Sequence, residues 1–484
     1  MSASRLQSFF AASITLARRI RQLEHRANPM VNILNVTMKT TAQYPDLCGD
    51  KGMAWRLSHS LAGALWTFLC SVAYWPTRTD DMPVNKPVDA LILSHLVNVK
   101  HLESQDDFYF GKLADDLNKA GFSVQTILIN HCRAGEADIR QCRRMSTTVL
   151  PAYFSPAKEA WLILKMFLTS FSIPALTDTN GWRLARQARL AQFGNRALGD
   201  MRIGKLIARH ITTRQPKIIV HTFEGHGWER IVNVIAHQMS PPAVTFGYQH
   251  AVLFPGERSI NYLHDGGADP DVVMTSGPAT KEQFLRSAQH SKKNIIVLGS
   301  VKSSSGVNRP LSSVNGTCLL VPEGVFDEVE LMAVMGIRAA KLAPDRQFVL
   351  RLHPVLDRDT VIRRLGKLPT NFSLSDDELE NDLNAASFFC YRGSSVVLSG
   401  ILAGVRPIYL DPDDSLSTND PLAADLRFRK VAKTSEAIVD IMSSTISSGI
   451  EIKKYKQAVK YIEGYAAAYN SAEMIGMVRE VVSV

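Results

Sequence analysis

The sequence predicts an α/β protein made of two doubly wound domains facing a cleft, with a helical extension at the N-terminus. Two observations predict it. Short apolar runs of strand length alternate with helical segments from Ala90 to Leu410, and strand, helix, strand at this spacing is the mark of a parallel βαβ unit. The chain also has 484 residues, 45% hydrophobic and 21% charged, which supplies core for two or three domains. This balance excludes a disordered chain, a collagen-like fibre and a polytopic membrane protein.

Residues 1–85 form the extension. Leu6, Phe9, Phe10, Leu16, Ile20 and Leu23 recur at helical spacing, and Arg5, Arg18, Arg19, Arg21 and Arg26 are opposed only by Glu24. The first 22 residues hold no acidic residue, a bias shared with mitochondrial presequences, while the order of a secretory signal is missing. A second apolar run, Leu61–Trp75, spans 15 residues and falls short of the roughly 20 that cross a bilayer. Its Trp66, Phe68, Tyr74 and Trp75 suit a headgroup interface, so the extension is expected either to pack on the body or to lie on the inner face of the cytoplasmic membrane. The proline-rich Trp75–Asp89 segment reads as a linker.

The first domain is expected over residues 86–250. Its strands are Ala90–Ser94, Phe122–Asn130, Lys217–His221 and Ala243–Tyr248, with helices at Phe108–Ala120 and Trp228–His237. A mostly helical insertion occupies about 136–214. The second domain is expected over residues 251–447. Strands are Asp271–Thr275, Asn294–Gly299, Cys318–Val321, Gln347–Leu352, Ser387–Tyr391 and Pro407–Leu410, with helices such as Glu328–Leu342 and Val396–Ala403. C-terminal helices fill 448–484.

Ligands of open parallel sheets bind outside the carboxyl ends of the strands. In the second half those ends read Ser276-Gly277-Pro278, Gly299-Ser300, Pro322-Glu323-Gly324, His353-Pro354 and Arg392-Gly393-Ser394-Ser395. Ser394 or Ser395 can cap the helix that ends at Gly404, and its free N–H groups beside Arg392 make an anion site. His353 is then a phosphate ligand or a leaving-group acid. In the first half, Glu224-Gly225-His226-Gly227 follows a buried strand, and the glycines allow a tight turn that presents Glu224 or His226 as a general base. His250, after the next strand, is a further base or phosphate candidate, ahead of a Pro255-Gly256 turn.

Other signals are missing. There is no GxxxxGK[ST] loop, no GxGxxG after the first strand, no HExxH and no Cys/His cluster, so no metal and no cofactor are assigned. The acidic Asp269-Pro270-Asp271 and Asp411–Asp414 fit turns. Six scattered cysteines predict a reduced, cytoplasmic protein. A net charge of +9 predicts an anionic partner. Nucleic acid is not that partner, since the charge is dispersed with no aromatic-basic interleaving.

At these residues the chain resembles bacterial surface-polysaccharide glycosyltransferases of the GT-B type, with two Rossmann-like domains, and above all the Kdo transferases and the sialyl- and polysialyltransferases. The resemblance covers roughly Ala90–Ile441. It rests on His353-Pro354 in RLHP (which includes Arg351), on Gly393-Ser394-Ser395 within GSSVVLSGILAGVRPIYL, and on Glu224-Gly225. FGYQHAVLFP also resembles the Gln-His-Gly segment of capsule enzymes and CDP-polyol transferases, with Ala251 in place of the glycine.

The resemblance implies that His353 and Ser394/Ser395 hold the donor phosphate while Glu224 takes the acceptor proton. The donor would be a nucleotide sugar, CMP-Kdo or CMP-sialic acid first, and the acceptor a glycan or lipid-linked glycan. Transfer would be metal-independent and inverting. Three other readings are a CDP-glycerol or CDP-ribitol phosphotransferase using His250 and His353, a sugar-nucleotide 2-epimerase (disfavoured by the helical insertion), and a non-catalytic glycan- or nucleotide-binding assembly protein.

Overall fold

The computed structural model describes residues 53–77, 86–140, 142, 146–171, 186, 189–251, 253, 267–286, 294–300, 310–313, 315–324, 326–353, 356–412, 420, 422, 428–444 and 448–483. The expected helix in the first thirty residues, most of the linker, Pro354 and the Pro255-Gly256 turn lie outside these residues.

The described elements in chain order are α1 (Met53–Tyr74), β1 (Ala90–Leu96), α2 (Leu113–Lys119), β2 (Val124–Asn130), α3 (Glu136–Ile139), β3 (Thr147–Val149), α4 (Pro156–Ser170) and α5 (Asn195–Arg214). Then come β4 (Ile218–Thr222), α6 (Gly227–His237), β5 (Val244–Gln249), β6 (Val272–Thr275), α7 (Pro278–Arg286) and β7 (Asn294–Val297). The chain continues through β8 (Thr317–Val321), α8 (Phe326–Leu342), β9 (Phe348–Leu350), α9 (Arg358–Leu365), β10 (Phe372–Leu374), α10 (Leu379–Ala385), β11 (Ala386–Tyr391), α11 (Val396–Leu402) and β12 (Arg406–Leu410). It closes with β13 (Lys430–Ala432), α12 (Ser435–Ser444), α13 (Gly449–Glu463) and α14 (Ala472–Ser483).

The chain forms two compact units, each around one wholly parallel sheet. Among the described residues, unit 1 holds seven strands in the order β3-β2-β1-β4-β5-β6-β7, and unit 2 six in the order β10-β9-β8-β11-β12-β13. Both therefore wind outward from a first strand, reverse, and wind the other way, which is the doubly wound architecture the sequence predicts. Strands β1, β2, β4, β8, β11 and β12 are buried along almost their whole length because helices cover both faces. In unit 1 one face packs Phe110, Phe246 and Tyr248, and the other packs Ile207, Trp228 and Val232. Each such side chain contributes about 1.5–3 kcal/mol on burial.

Two expected boundaries are corrected. The first unit does not end at residue 250: β6 pairs onto β5, in register from Phe246↔Val272 onward, and β7 pairs onto β6, so unit 1 continues to Ser303. An apolar run reveals a strand but not which sheet it joins. The C-terminal helices also divide. Helix α13 packs in unit 2, whereas residues 467–484 return to unit 1 and bury Met474 and Val478 against its sheet.

The insertion at 136–214 contains the edge strand β3 as well as helices. Helix α1 packs on α4 and α5, held by Thr67 Oγ1 on Asn195 Oδ1 at 3.0 Å and by Tyr74 OH on the Ala134 carbonyl at 2.9 Å. Among the described residues no helix is long and apolar enough to cross a membrane.

Candidate functional site

In unit 1 the winding reverses between β1 and β4, and chemistry gathers at their carboxyl ends. Strand β4 ends at Thr222, and the chain then turns through Gly225, whose φ of +80° is open to glycine, into helix α6. Glu229, fully buried in the first turn of α6, organises this turn. Its Oε2 accepts from the backbone N–H of Gly225 and His226, each at 2.8 Å, and of Glu224 at 3.1 Å. A carboxylate at a helix start is favoured by the dipole as well as by these bonds. Asp200 of α5 sits against the same helix start and accepts the Trp228 N–H; a Cβ on Gly227 would stand 2.8 Å from its Oδ2. Burial raises the Asp200 carboxyl to about 6.

The turn thus holds Glu224 at the edge of the sheet, its side chain about a quarter exposed. His250, just past β5, brings Nε2 to 2.5 Å from Glu224 Oε1, and His226 brings Nε2 to 3.2 Å from Oε2. Tyr109 packs edge-on to the His250 ring at 4.7 Å. It is fixed by Asp107, which accepts its N–H at 2.8 Å, and burial beside Glu224 and Asp107 raises its phenol to about 12.

Behind Glu224 a polar chain runs inward. Thr222 Oγ1 donates to Glu229 Oε1 at 3.3 Å, so it accepts from His95 Nε2 at 2.9 Å, and His95 Nδ1 must then accept from His131 Nε2 at 2.8 Å. Neutral imidazoles fit this assignment. Burial, with His131 next, holds His95 well below its ordinary value, and burial, with His226 next, lowers His131 to about 4.

Such an arrangement can take a proton. Glu224 is a carboxylate with one imidazole close to each oxygen, and a proton accepted there can pass to His226 along its hydrogen bond. Among the described residues no group of three or more His, Cys, Asp or Glu side chains is placed to hold a metal ion.

In unit 2 the winding reverses between β8 and β11, with β9 on the other side of β8. Glu323, His353 and Arg392–Ser395 therefore all emerge at one carboxyl edge. A Cβ on Gly393 would lie within 2 Å of Glu323 Oε1, so the missing side chain is what lets this carboxyl close over the β11 turn. Arg392 and Ser394 are buried, while Ser395 and His353 are exposed. Partial burial lowers the His353 imidazole below its ordinary value. Ser395 stands at the start of α11 without a side-chain cap bond.

Three predicted donor residues lie elsewhere or are engaged. Gly299 and Ser300 belong to unit 1, at the end of β7, where the returning C-terminal chain crosses. Ser300 N–H bonds the Ala467 carbonyl at 2.9 Å, and a Cβ on Gly299 would stand 2.2 Å from the Ala468 carbonyl oxygen. The glycine is required by chain packing. Arg351 is bound to Asp382 Oδ2 and to the Asp377 carbonyl, both at 2.7 Å, which ties β9 to α10.

The sequence reading missed His95, Tyr109, His131, Thr222 and Glu229. The signal that could have found two of them is positional: His95 is the sixth residue of β1, and His131 directly follows β2, the strand paired to it.

No family model matches the chain, and no curated protein matches it. Among solved structures it is similar to the glycosyltransferase of kitacinnamycin, with a TM-score of 0.47 and 11% identity over 83% of this chain and 100% of that one. It is also similar to the calicheamicin glycosyltransferase CalG4, with a TM-score of 0.48 and 11% identity over 82% of this chain and 98% of that one. A third is the UDP-GlcNAc 2-epimerase from Neisseria meningitidis bound to UDP-GlcNAc, at 0.44 and 11% over 81% and 99%.

Proposed function

We propose that the chain is a glycosyltransferase that moves a sugar from a nucleotide-activated donor to a hydroxyl of a glycan or lipid-linked glycan. The observation that carries this is the Glu224 carboxylate set between His226 and His250 at the point where the first sheet reverses. Glu224 is the base: as the acceptor oxygen bonds to the anomeric carbon, its proton passes to Glu224, and the donor's bond to phosphate oxygen breaks. His250 and His226 hold the carboxylate, and His226 receives the proton onward. The edge of unit 2, with His353, Arg392, Gly393, Ser394, Ser395 and Glu323, binds the departing nucleotide. The motif resemblance favours CMP-Kdo or CMP-sialic acid as donor, with inversion, in bacterial capsule, O-antigen or lipopolysaccharide assembly.

The His250–Glu224 contact also supports a second reading, a CDP-glycerol or CDP-ribitol phosphotransferase with His250 as base. Product analysis separates them, because only the phosphotransferase leaves the donor phosphate on the product. Glu224→Gln is the decisive variant. Transfer should fall ~10²–10⁴-fold while CMP still raises the melting temperature, an effect that His353→Ala abolishes. Full transfer by E224Q removes the base assignment, and absence of turnover with every nucleotide sugar and CDP-polyol favours a binding protein.

A further inference from the structure

Helix α1 is built inside out. Most of its body-facing positions, Ser60, Gly63, Ala64, Thr67, Cys70 and Ser71, are small or polar, Tyr74 being the large exception, and they let the helix sit close: a Cβ on Gly63 would lie 3.2 Å from the Asn195 nitrogen. Most of its large apolar residues point the other way. Leu61, Leu65, Trp66, Leu69 and Val72 are all exposed, Leu65 by 59%.

The neighbouring α4, which packs against α1, exposes apolar residues of its own. It buries Leu162 and Met166 in unit 1 but exposes Trp161 by 62% and Phe171 by 68%, with Leu164 and Leu168 between them. An apolar face of this extent, rimmed by polar groups, marks an interaction surface.

The charges say what kind. Helix α1 contains no acidic residue, and the one acid of α4, Glu159, is buried in an ion pair with Arg202 at 2.8 Å. The described charged side chains that α4 turns toward solvent are Lys158 and, in part, Lys165. Tryptophan and leucine bordered by lysine is the composition of helices that lie in the plane of an anionic bilayer surface.

We propose that the paired outer faces of α1 and α4 dock unit 1 onto the surface of an anionic lipid bilayer, both helices lying in the headgroup plane. The inference is independent of the transferase reading, since it uses no residue of the candidate site and its assay needs no turnover.

The test is flotation of the full-length protein with phosphatidylglycerol–phosphatidylcholine vesicles, read beside L65E/L168E. Both side chains are exposed, and circular dichroism checks the fold. Wild type should float with the anionic vesicles, less at high salt, and L65E/L168E should bind about tenfold or more weakly. Brominated lipids should quench wild-type tryptophan fluorescence, and W66F/W161F should lose most of that quenching while still floating. Equal flotation of L65E/L168E overturns the proposal and makes residues 1–52 the anchor. Failure of wild type to float also overturns it, and a dimer split by L65E/L168E would then assign the face to a second copy.

Discussion

Glu229→Gln is the sharpest test of how the Glu224 turn is built. The carboxylate oxygen Oε2 accepts three backbone N–H groups, from Glu224, Gly225 and His226, and Oε1 accepts the Thr222 hydroxyl. A hydrogen bond to a charged acceptor contributes about 1.5–3 kcal/mol and one to a neutral acceptor about 0.5–1.5, so neutralisation removes roughly 1 kcal/mol per amide bond. The new NH₂ group can accept nothing from Thr222. The turn should therefore open more easily by about 3 kcal/mol, or roughly 100-fold at 1.4 kcal/mol per decade. Amide hydrogen exchange of Glu224, Gly225 and His226 reads this directly, with β12 amides in unit 2 as internal reference. E229Q should accelerate those three amides roughly 100-fold and leave β12 unchanged. E229A should accelerate them further, because it orphans buried donors. Wild-type exchange at all three positions in E229Q would refute the view that this carboxylate organises the turn.

The remaining predictions concern charge and close packing. Because burial lifts Asp200 to about 6 from 3.8, the folded state keeps its proton longer than the unfolded chain, and stability falls as pH rises from about 4 to about 6. D200N should thus stabilise unit 1 at neutral pH, by on the order of 2–3 kcal/mol, and little at pH ~4, read by denaturant melts. His131 works oppositely in the same window. Its imidazole is held at about 4 against 6.5, so stability falls as pH drops between those values, and H131N should flatten that acid limb. G299A places a Cβ against the Ala468 carbonyl at a residue with φ of +79° and should cost at least about 2 kcal/mol, with earlier proteolysis of residues 467–484. Nucleotide binding by folded G299A should match wild type; loss of binding without loss of stability would return Gly299 to the donor site.

The strands that fill the sheet interiors were legible because burial on both faces makes them rich in apolar residues, as the runs ALIL and ILI within β1 and β2 show. The edge strands Thr147–Val149, Phe372–Leu374 and Lys430–Ala432 were not, since three residues carry no period and edges need little hydrophobicity. Glu224, His226 and His250 were legible from their position after strands, which fixes the sheet edge they reach. Glu229 was not, because its three amide contacts depend on a turn that only the fold displays. His95 and His131 escaped because their pairing is made between strands 36 residues apart. Gly299 misled for a related reason: a glycine after a strand looks the same whether it admits a ligand or another stretch of backbone.

The return of α14 to the first sheet bears on how the polypeptide matures on the ribosome. Met474 and Val478 complete a core whose other members lie before residue 299. Unit 1, although it begins to emerge first, stays incomplete until unit 2 has been translated, and the nascent protein must carry a partly open hydrophobic face through that interval.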